Sequence, residues 1–327
     1  GHGDVATVTA TPVAPPAQQP PAQQPPAWTP PPTQPQPQPQ PPAPVDRVAL
    51  AVANTNAASE GTSVVVENVT QAIAATPSAD HEEGLAFVTI ALPAGAAAQA
   101  TVMAILNDDL TFTAIPTRFN ADGSATVVIG ERVYLVALNV ESGFIDIYPL
   151  VVHVQDEITE AAARKIVQGV GNNRFNPTAV VRASDSVAMF LRAMGKGADA
   201  EAPGVEGINQ NAWYAAYFNA AVANELIDGS INPARPMTRI QAAALLANAK
   251  DVFELRPDKT AAQANALLVE FTDLQGLTAQ ERADLAVTVH HGIFQGHGGG
   301  RMGPYEELTR SQMASLAVRF QNLILGS

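Results

Sequence analysis

The pattern of apolar and polar positions changes twice along the chain. Up to Pro44 there is no period: Pro and Gln alternate, as in Pro15-Pro16-Ala17-Gln18-Gln19-Pro20. Proline fixes φ and removes the amide donor, so residues 1–45 predict a disordered arm of polyproline II character. At about 3.1 Å per residue the arm would reach roughly 100 Å, which suits a spacer. A ligand for a polyproline-binding domain is the alternative.

From 46 to 153 the apolar residues come in short runs rich in Val, Ile, Thr and Phe. Strands are predicted at Val48–Val52, Ser63–Val66, 85–92, 101–106, 111–119, 125–129, 132–138 and 144–152. Asn120-Ala121-Asp122-Gly123 predicts a hairpin, because Gly supplies a positive φ and Asp closes the turn. This density of short strands predicts an all-β, Ig-like sandwich. Leu85–Leu106 is uncharged and long enough to cross a bilayer. Pro93, Gly95 and Gln99 interrupt it, so two strands are expected and no membrane span. Asn107-Asp108-Asp109 reads as a solvated strand end.

From Asp156 onward the spacing becomes helical, in Ala-rich amphipathic runs punctuated by Gly and Asn-Pro. Within these runs one unit recurs. The third copy holds Phe271-Thr272-Asp273, then Gly292-Ile293-Phe294-Gln295-Gly296, Met302-Gly303-Pro304 and Leu308-Thr309-Arg310. The second holds Trp213, Glu225-Leu226-Ile227-Asp228-Gly229, Ile231-Asn232-Pro233 and Met237-Thr238-Arg239. The first holds Lys165-Ile166-Val167-Gln168-Gly169, Phe175-Asn176-Pro177 and Val181-Arg182. Gly169, Gly229 and Gly296 are expected to end helices in the left-handed conformation. Thr238 and Thr309 are expected to cap the helices that follow. One such unit cannot bury its apolar face, whereas three can around a common axis. The expected divisions are 1–45, 46–153, 154–202, 203–266 and 267–327.

Composition narrows the function. The net charge of −13 argues against a nucleic-acid partner, which needs a basic surface. The absence of cysteine excludes disulfides, Cys-ligated zinc and thiol catalysis. Gly1-His2-Gly3 does not begin a signal peptide, lacking a basic and an apolar region. His290, His291 and His297 invite a metal, but adjacent helical histidines point about 100° apart and no carboxylate stands at ligand spacing. Gly296-His297-Gly298-Gly299-Gly300 is not a phosphate loop, since no Gly-Lys-Ser/Thr follows. With no Gly-x-Ser-x-Gly and no His-Glu-x-x-His, the expectation is a non-catalytic chain without cofactor or metal.

The recurring residues resemble the S-layer homology (SLH) family, whose pattern runs F-x-D, W-A, G-I-x-G, F-x-P and T-R-A-E. The resemblance covers roughly Asp156 to Leu325. It implies an all-α pseudo-threefold bundle of three helix-turn-helix repeats, and a secreted protein held on a Gram-positive cell wall. Grooves between repeats would bind secondary cell-wall polysaccharide through a pyruvylated sugar. That carboxylate calls for the planar fork of an Arg, and a sugar face for an aromatic platform. The resemblance places the fork on Arg239 and Arg310. Arg182 is displaced by one, the family position falling on Ala183. It places the aromatic on Trp213, close-approach glycines on Gly169, Gly229 and Gly296, and the Phe-x-Asp acid on Asp273 alone. Binding is then expected mainly in the last two copies. Competing readings are a self-assembling S-layer subunit, and a scaffold or adhesin whose β-domain or Pro-rich arm binds a protein.

Overall fold

The computed structural model describes residues 46–59, 64–77, 85–252, 263 and 266–326. The Pro/Gln-rich arm expected at 1–45 lies outside the described residues, as does Ser63.

The first element corrects the strand expected at Val48–Val52. Asp46 Oδ1 accepts the amides of Val48 at 3.0 Å and Ala49 at 3.1 Å, capping a helix, α1 (Arg47–Ala58). Its buried residues, Val48 and Ala51, are one helical turn apart. The Val-Ala-Leu-Ala-Val alternation misleads because Ala is weakly apolar and the best helix former. Asn56 then acts as a ladder partner for the first strand. Its Nδ2 donates to the Val66 carbonyl and its Oδ1 accepts the Val66 amide, both at 2.8 Å.

Eight strands follow among the described residues: β1 (Val64–Asn68), β2 (Ile73–Ala75), β3 (Ala86–Ile90), β4 (Val102–Leu106), β5 (Phe112–Ile115), β6 (Thr117–Phe119), β7 (Ala125–Ile129) and β8 (Val133–Ser142). They form two antiparallel sheets, one ordered β1-β8-β4-β5 with β2 also on β8, the other β3-β7-β6. β2 and β1 share one edge of the long β8 in succession, at Val133–Leu135 and Leu138–Ser142. Met103, Ile115, Leu135 and Ala137 from the larger sheet meet Ile90, Ala125, Val127 and Ile129 from the smaller in one apolar core. The hairpin forms as expected: Gly123 has φ +85°, and Asp122 Oδ1 accepts the Ser124 amide at 2.9 Å. A short helix, α2 (Ala96–Gln99), links β3 to β4. No described helix is long and apolar enough to cross a membrane.

Two strand expectations are corrected. The run 111–119 is two strands in different sheets, because Pro116 has no amide for a continuous ladder. The run 144–152 is not a strand. Its backbone turns away after Ser142, burying Phe144 and Ile147, and a helix begins at Val152.

The rest of the described chain is helical: α3 (Val152–Ala163), α4 (Ala183–Ala193), α5 (Ala215–Ala223), α6 (Arg239–Val252), α7 (Ala279–His290) and α8 (Arg310–Leu325). α4 packs on α5, α6 on α7, and α8 on α3. Helices α3, α5 and α7 end alike. The left-handed residues are Lys165 (φ 57°), Glu225 (φ 56°) and Gly292 (φ 69°). In each case the next amide, from Ile166, Leu226 or Ile293, returns to the carbonyl of Ala161, Ala221 or Thr288 at 2.8–3.0 Å. This is the Schellman arrangement, with a buried apolar residue following the left-handed one. It corrects the expectation for Gly169, Gly229 and Gly296, which lie beyond the helix ends and have no positive φ.

The approaches to α4, α6 and α8 bond to one another in a ring. The amide of Val181 donates to Leu308, that of Leu308 to Met237, and that of Met237 to Val181, at 2.9–3.0 Å. Two residues on, the ring repeats around the helix starts. Ala183 donates to Arg235, Arg239 to Glu306 and Arg310 to Ala179. The next amides, of Ser184, Ile240 and Ser311, reach the carbonyls of Pro233, Pro304 and Pro177. Two otherwise orphaned amides of each helix are therefore satisfied by a neighbour's proline turn. Thr238 and Thr309 cap as expected, each exchanging bonds with Gln241 or Gln312. The core around this ring continues through Val48, Val66, Val102 and Val140, and residues Asp46–Ser327 form one compact unit.

Candidate functional site

The ring puts an arginine at the first position of α6 and of α8, aimed at the neighbouring loops. Arg310 Nε donates to the Phe175 carbonyl and Nη2 to the Gln168 carbonyl, both at 2.9 Å. Its guanidinium lies 4.8 Å from the centroid of Phe175. Arg239 does the same one step around: Nε to the Met302 carbonyl and Nη2 to the Gln295 carbonyl, both at 2.8 Å. Here Met302 Sδ approaches Nη2 at 3.4 Å, and the ring under the guanidinium is Phe294, at 4.9 Å. Burial pulls both guanidinium pKa values down. Glu306 and Asp273 oppose this for Arg239, as do Asp185 and Asp146 for Arg310. The third position of the ring holds Ala183, so no arginine spans there. Arg182 is exposed and stands at the N-cap of α4 without a side-chain capping bond.

The two arginines differ in access. Arg239 is 6% exposed. Phe271 packs on the adjacent Gly296, where an added Cβ would stand 2.6 Å from Phe271 Cε1 and 2.8 Å from the Arg301 carbonyl oxygen. Arg310 instead lines an open groove of about 230 Å³ together with Gln168, Gly169, Asp185, Arg192 and Trp213. Trp213 is 57% exposed and meets Tyr214 edge-on at 5.8 Å. The structure thus brings Arg310, Gly169 and Trp213 into one groove. Arg239, Gly296 and Asp273 sit elsewhere, and Gly229 lies against Val205 and Val222.

Asp273 has a framework role in this geometry. Its carboxylate accepts the amides of Met302 at 2.9 Å and Gly303 at 2.8 Å, holding the loop that receives Arg239. Burial alone would raise its pKa, but those amides outweigh it and leave the carboxyl below its ordinary value. Asp146 is its counterpart. It accepts the amides of Phe175 and Asn176, both at 2.8 Å, and so holds the loop that receives Arg310. The Phe-x-Asp element is therefore present twice, as Phe144-Ile145-Asp146 and Phe271-Thr272-Asp273. Sequence reading missed the first because a strand was expected there. The signal was available: acid and loop amide are 29 positions apart in both cases. Arg192 was also missed, and only the fold brings it to the groove. Among the described residues no group of three His, Asp or Glu side chains is placed to hold a metal. His297 Nε2 lies 3.2 Å from Glu306 Oε2.

A family model of the S-layer homology domain matches residues 153–182, which run from α3 through the Phe175-Asn176-Pro177 turn to the start of α4. A Surface-layer 125 kDa protein of Lysinibacillus sphaericus is 25% identical over 156 residues, 46% of this chain and 12% of that protein. An Amylopullulanase of Thermoanaerobacterium thermosulfurigenes is 24% identical over 162 residues, 50% of this chain and 9% of that protein. The chain therefore spans only about a tenth of the length of these relatives. Residues 153–182 thus match the S-layer homology domain, and that match together with the surface-layer relative indicates a cell-surface location.

Proposed function

We propose that the helical region is a non-catalytic module that anchors its protein to the cell wall by binding secondary cell-wall polysaccharide through a pyruvylated sugar. The supporting observation is the open groove that unites Arg310, Gly169 and Trp213. A ketal carboxylate would meet the Arg310 fork, and a sugar face would meet Trp213. In this reading the helices are three SLH repeats about a pseudo-threefold axis, preceded by an Ig-like β-sandwich. The divisions are those expected from sequence, except that Phe144–Asp146 belongs with the first repeat. The Amylopullulanase relative fits an anchor that serves different parent proteins, an enzyme among them.

The test is co-sedimentation of the chain with isolated wall sacculi, before and after removal of pyruvyl groups. Binding lost on depyruvylation supports the proposal; equal binding to both walls refutes it. Arg310→Ala should weaken binding by on the order of 1.5–3 kcal/mol. Self-association through the β region is a second reading, favoured by Phe87, which is 56% exposed on the edge strand β3. Concentration-dependent assembly without wall polymer would support it.

A further inference from the structure

A second cavity lies beside the groove. It measures about 410 Å³ and is walled by α1, by the loop and strand at Asn107–Ala114, and by the helical residues Lys165, Gln168, Arg192, Lys196 and Tyr217. Gln168 and Arg192 line both cavities, so the two adjoin. Its charge is opposite to that of the chain. Lys165, Arg192 and Lys196 face it, against one carboxylate, Asp109, in a protein of net charge −13. Asp109 is already engaged: its Oδ1 accepts from the Thr111 amide at 3.1 Å and the Thr111 hydroxyl at 2.6 Å.

None of the three cations is in a salt bridge among the described residues, although the Asp199 charge acts on Lys196 and Asp185 lines the adjoining groove with Arg192. Arg192 Nε donates to the Tyr217 hydroxyl at 3.2 Å, with its guanidinium 4.9 Å from that ring centroid. Lys196 Nζ donates to Asn224 Oδ1 at 3.0 Å. Lys165 takes the left-handed position that closes α3, and among the described residues its ammonium has no hydrogen-bond or ion-pair partner. Burial, then the neighbouring Arg192 charge, lowers the Lys165 pKa from 10.5 to about 8. A desolvated ammonium beside a second cation is an arrangement that an anion stabilises and an empty cavity does not.

We propose that this cavity is a second anion subsite, in which Lys165, Arg192 and Lys196 receive an oxyanion substituent, phosphate or carboxylate, carried by a polymer that also occupies the Arg310 groove. Tyr217 orients Arg192, and Thr113 and Gln168 in the lining offer a hydroxyl and an amide group to neighbouring sugar hydroxyls. The β region thereby becomes part of the binding face, because Asn107–Ala114 supplies one wall. The link to a polymer rests on the proposed function; the anion subsite itself does not.

The experiment is calorimetric titration of the full chain with inorganic phosphate and, separately, with pyruvate, near neutral pH and at constant ionic strength. Lys165→Gln and Lys196→Gln should each weaken the anion that binds by about tenfold, the loss of one charge-assisted hydrogen bond. Arg310→Ala should lower wall binding, while the phosphate that still binds keeps its dependence on Lys165. Binding should also weaken as pH rises through about 8, which a merely structural lysine would not produce. Binding of phosphate alone or pyruvate alone identifies the substituent. No binding of either, or binding unaffected by Lys165→Gln in a variant of unaltered circular dichroism, overturns the subsite. Wall binding that fails while phosphate binding persists refutes the polymer reading and leaves the subsite standing.

Discussion

Arg310 Nη2 and the carbonyl of Gln168 are 2.9 Å apart, although 142 positions separate the two residues in the chain. With Nε on Phe175, two of the five guanidinium hydrogens are engaged, and among the described residues Nη1 has no partner. Arg310 therefore both closes the ring and presents a charge to the groove. Arg239 has equivalent bonds but is buried.

This difference separates the two arginines by experiment. Arg239→Ala should lower the unfolding free energy by about 2–4 kcal/mol, because the buried Met302 carbonyl and the half-buried Gln295 bond lose a charged donor, and should affect wall binding only through folding. Arg310→Lys keeps the charge but loses the fork. It should reduce polymer affinity several-fold with a smaller loss of stability. Urea melts and sedimentation with purified polymer measure the two effects.

Gly296 and Gly229 occupy matching places after their helices, but only the first is enclosed. Gly296→Ala would push a methyl into Phe271 and the Arg301 carbonyl, costing about 1–3 kcal/mol. Gly229→Ala meets Val205 and Val222 at 3.4 and 3.8 Å, ordinary contact, and should be nearly neutral. Thermal denaturation of the two variants checks the contrast.

Asp273 makes stability depend on acid. Its folded pKa lies below the ordinary 3.8, so its contribution is complete above that value and is lost as pH falls through the folded one. Asp273→Ala should cost about 1–3 kcal/mol at neutral pH by leaving the Met302 and Gly303 amides without an acceptor. Between about pH 4 and pH 2 its urea midpoint should fall less steeply than that of the parent.

Lys165 has the opposite sign. Its pKa is depressed on folding, from 10.5 to about 8, so the unfolded chain binds more protons between those values and stability rises with pH across that window. Below about pH 8 the folded state carries a poorly solvated charge. Lys165→Met, with no anion present, should therefore stabilise by on the order of 1–2 kcal/mol at pH 7, and the gain should vanish near pH 10.5. Urea melts at several pH values in an anion-poor buffer test this.

The strands with Val, Ile and Phe cores, the Asp122-Gly123 hairpin and the Thr-capped helices were legible because each is decided by local chemistry. α1 was not, because an Ala-rich alternation satisfies both periods and the Asp46 cap decided between them. The turn at Phe144–Asp146 was hidden for a different reason. Its acid is satisfied 29 positions away, so nothing nearby marks it as other than strand. The left-handed helix ends at Lys165 and Glu225 were illegible because a charged residue stands where the third helix has Gly292, and the glycine that follows each drew the eye. Arg310, Gly169 and Trp213 were each recognisable by type. Their convergence, and the closure of the Arg239 side by Phe271, depend on which loops the ring makes neighbours.

The ring of amides at Val181, Met237 and Leu308 also determines how the helical region would carry load. The first and last approaches are bonded directly to each other, with Arg310 fastened across the same seam. At its far end α8 is tied again, where Arg118 Nη1 on β6 donates to the Leu325 carbonyl at 2.8 Å. Tension drawn between α3 and α8 would therefore be borne by the Arg310 seam, with the Arg164–Asn322 and Arg319–Glu157 bonds that join the two helices, before it reached the middle helices. The residue that faces the groove is also the latch of the buckle, and a ligand seated against it would tighten the fastening that the pull works to open.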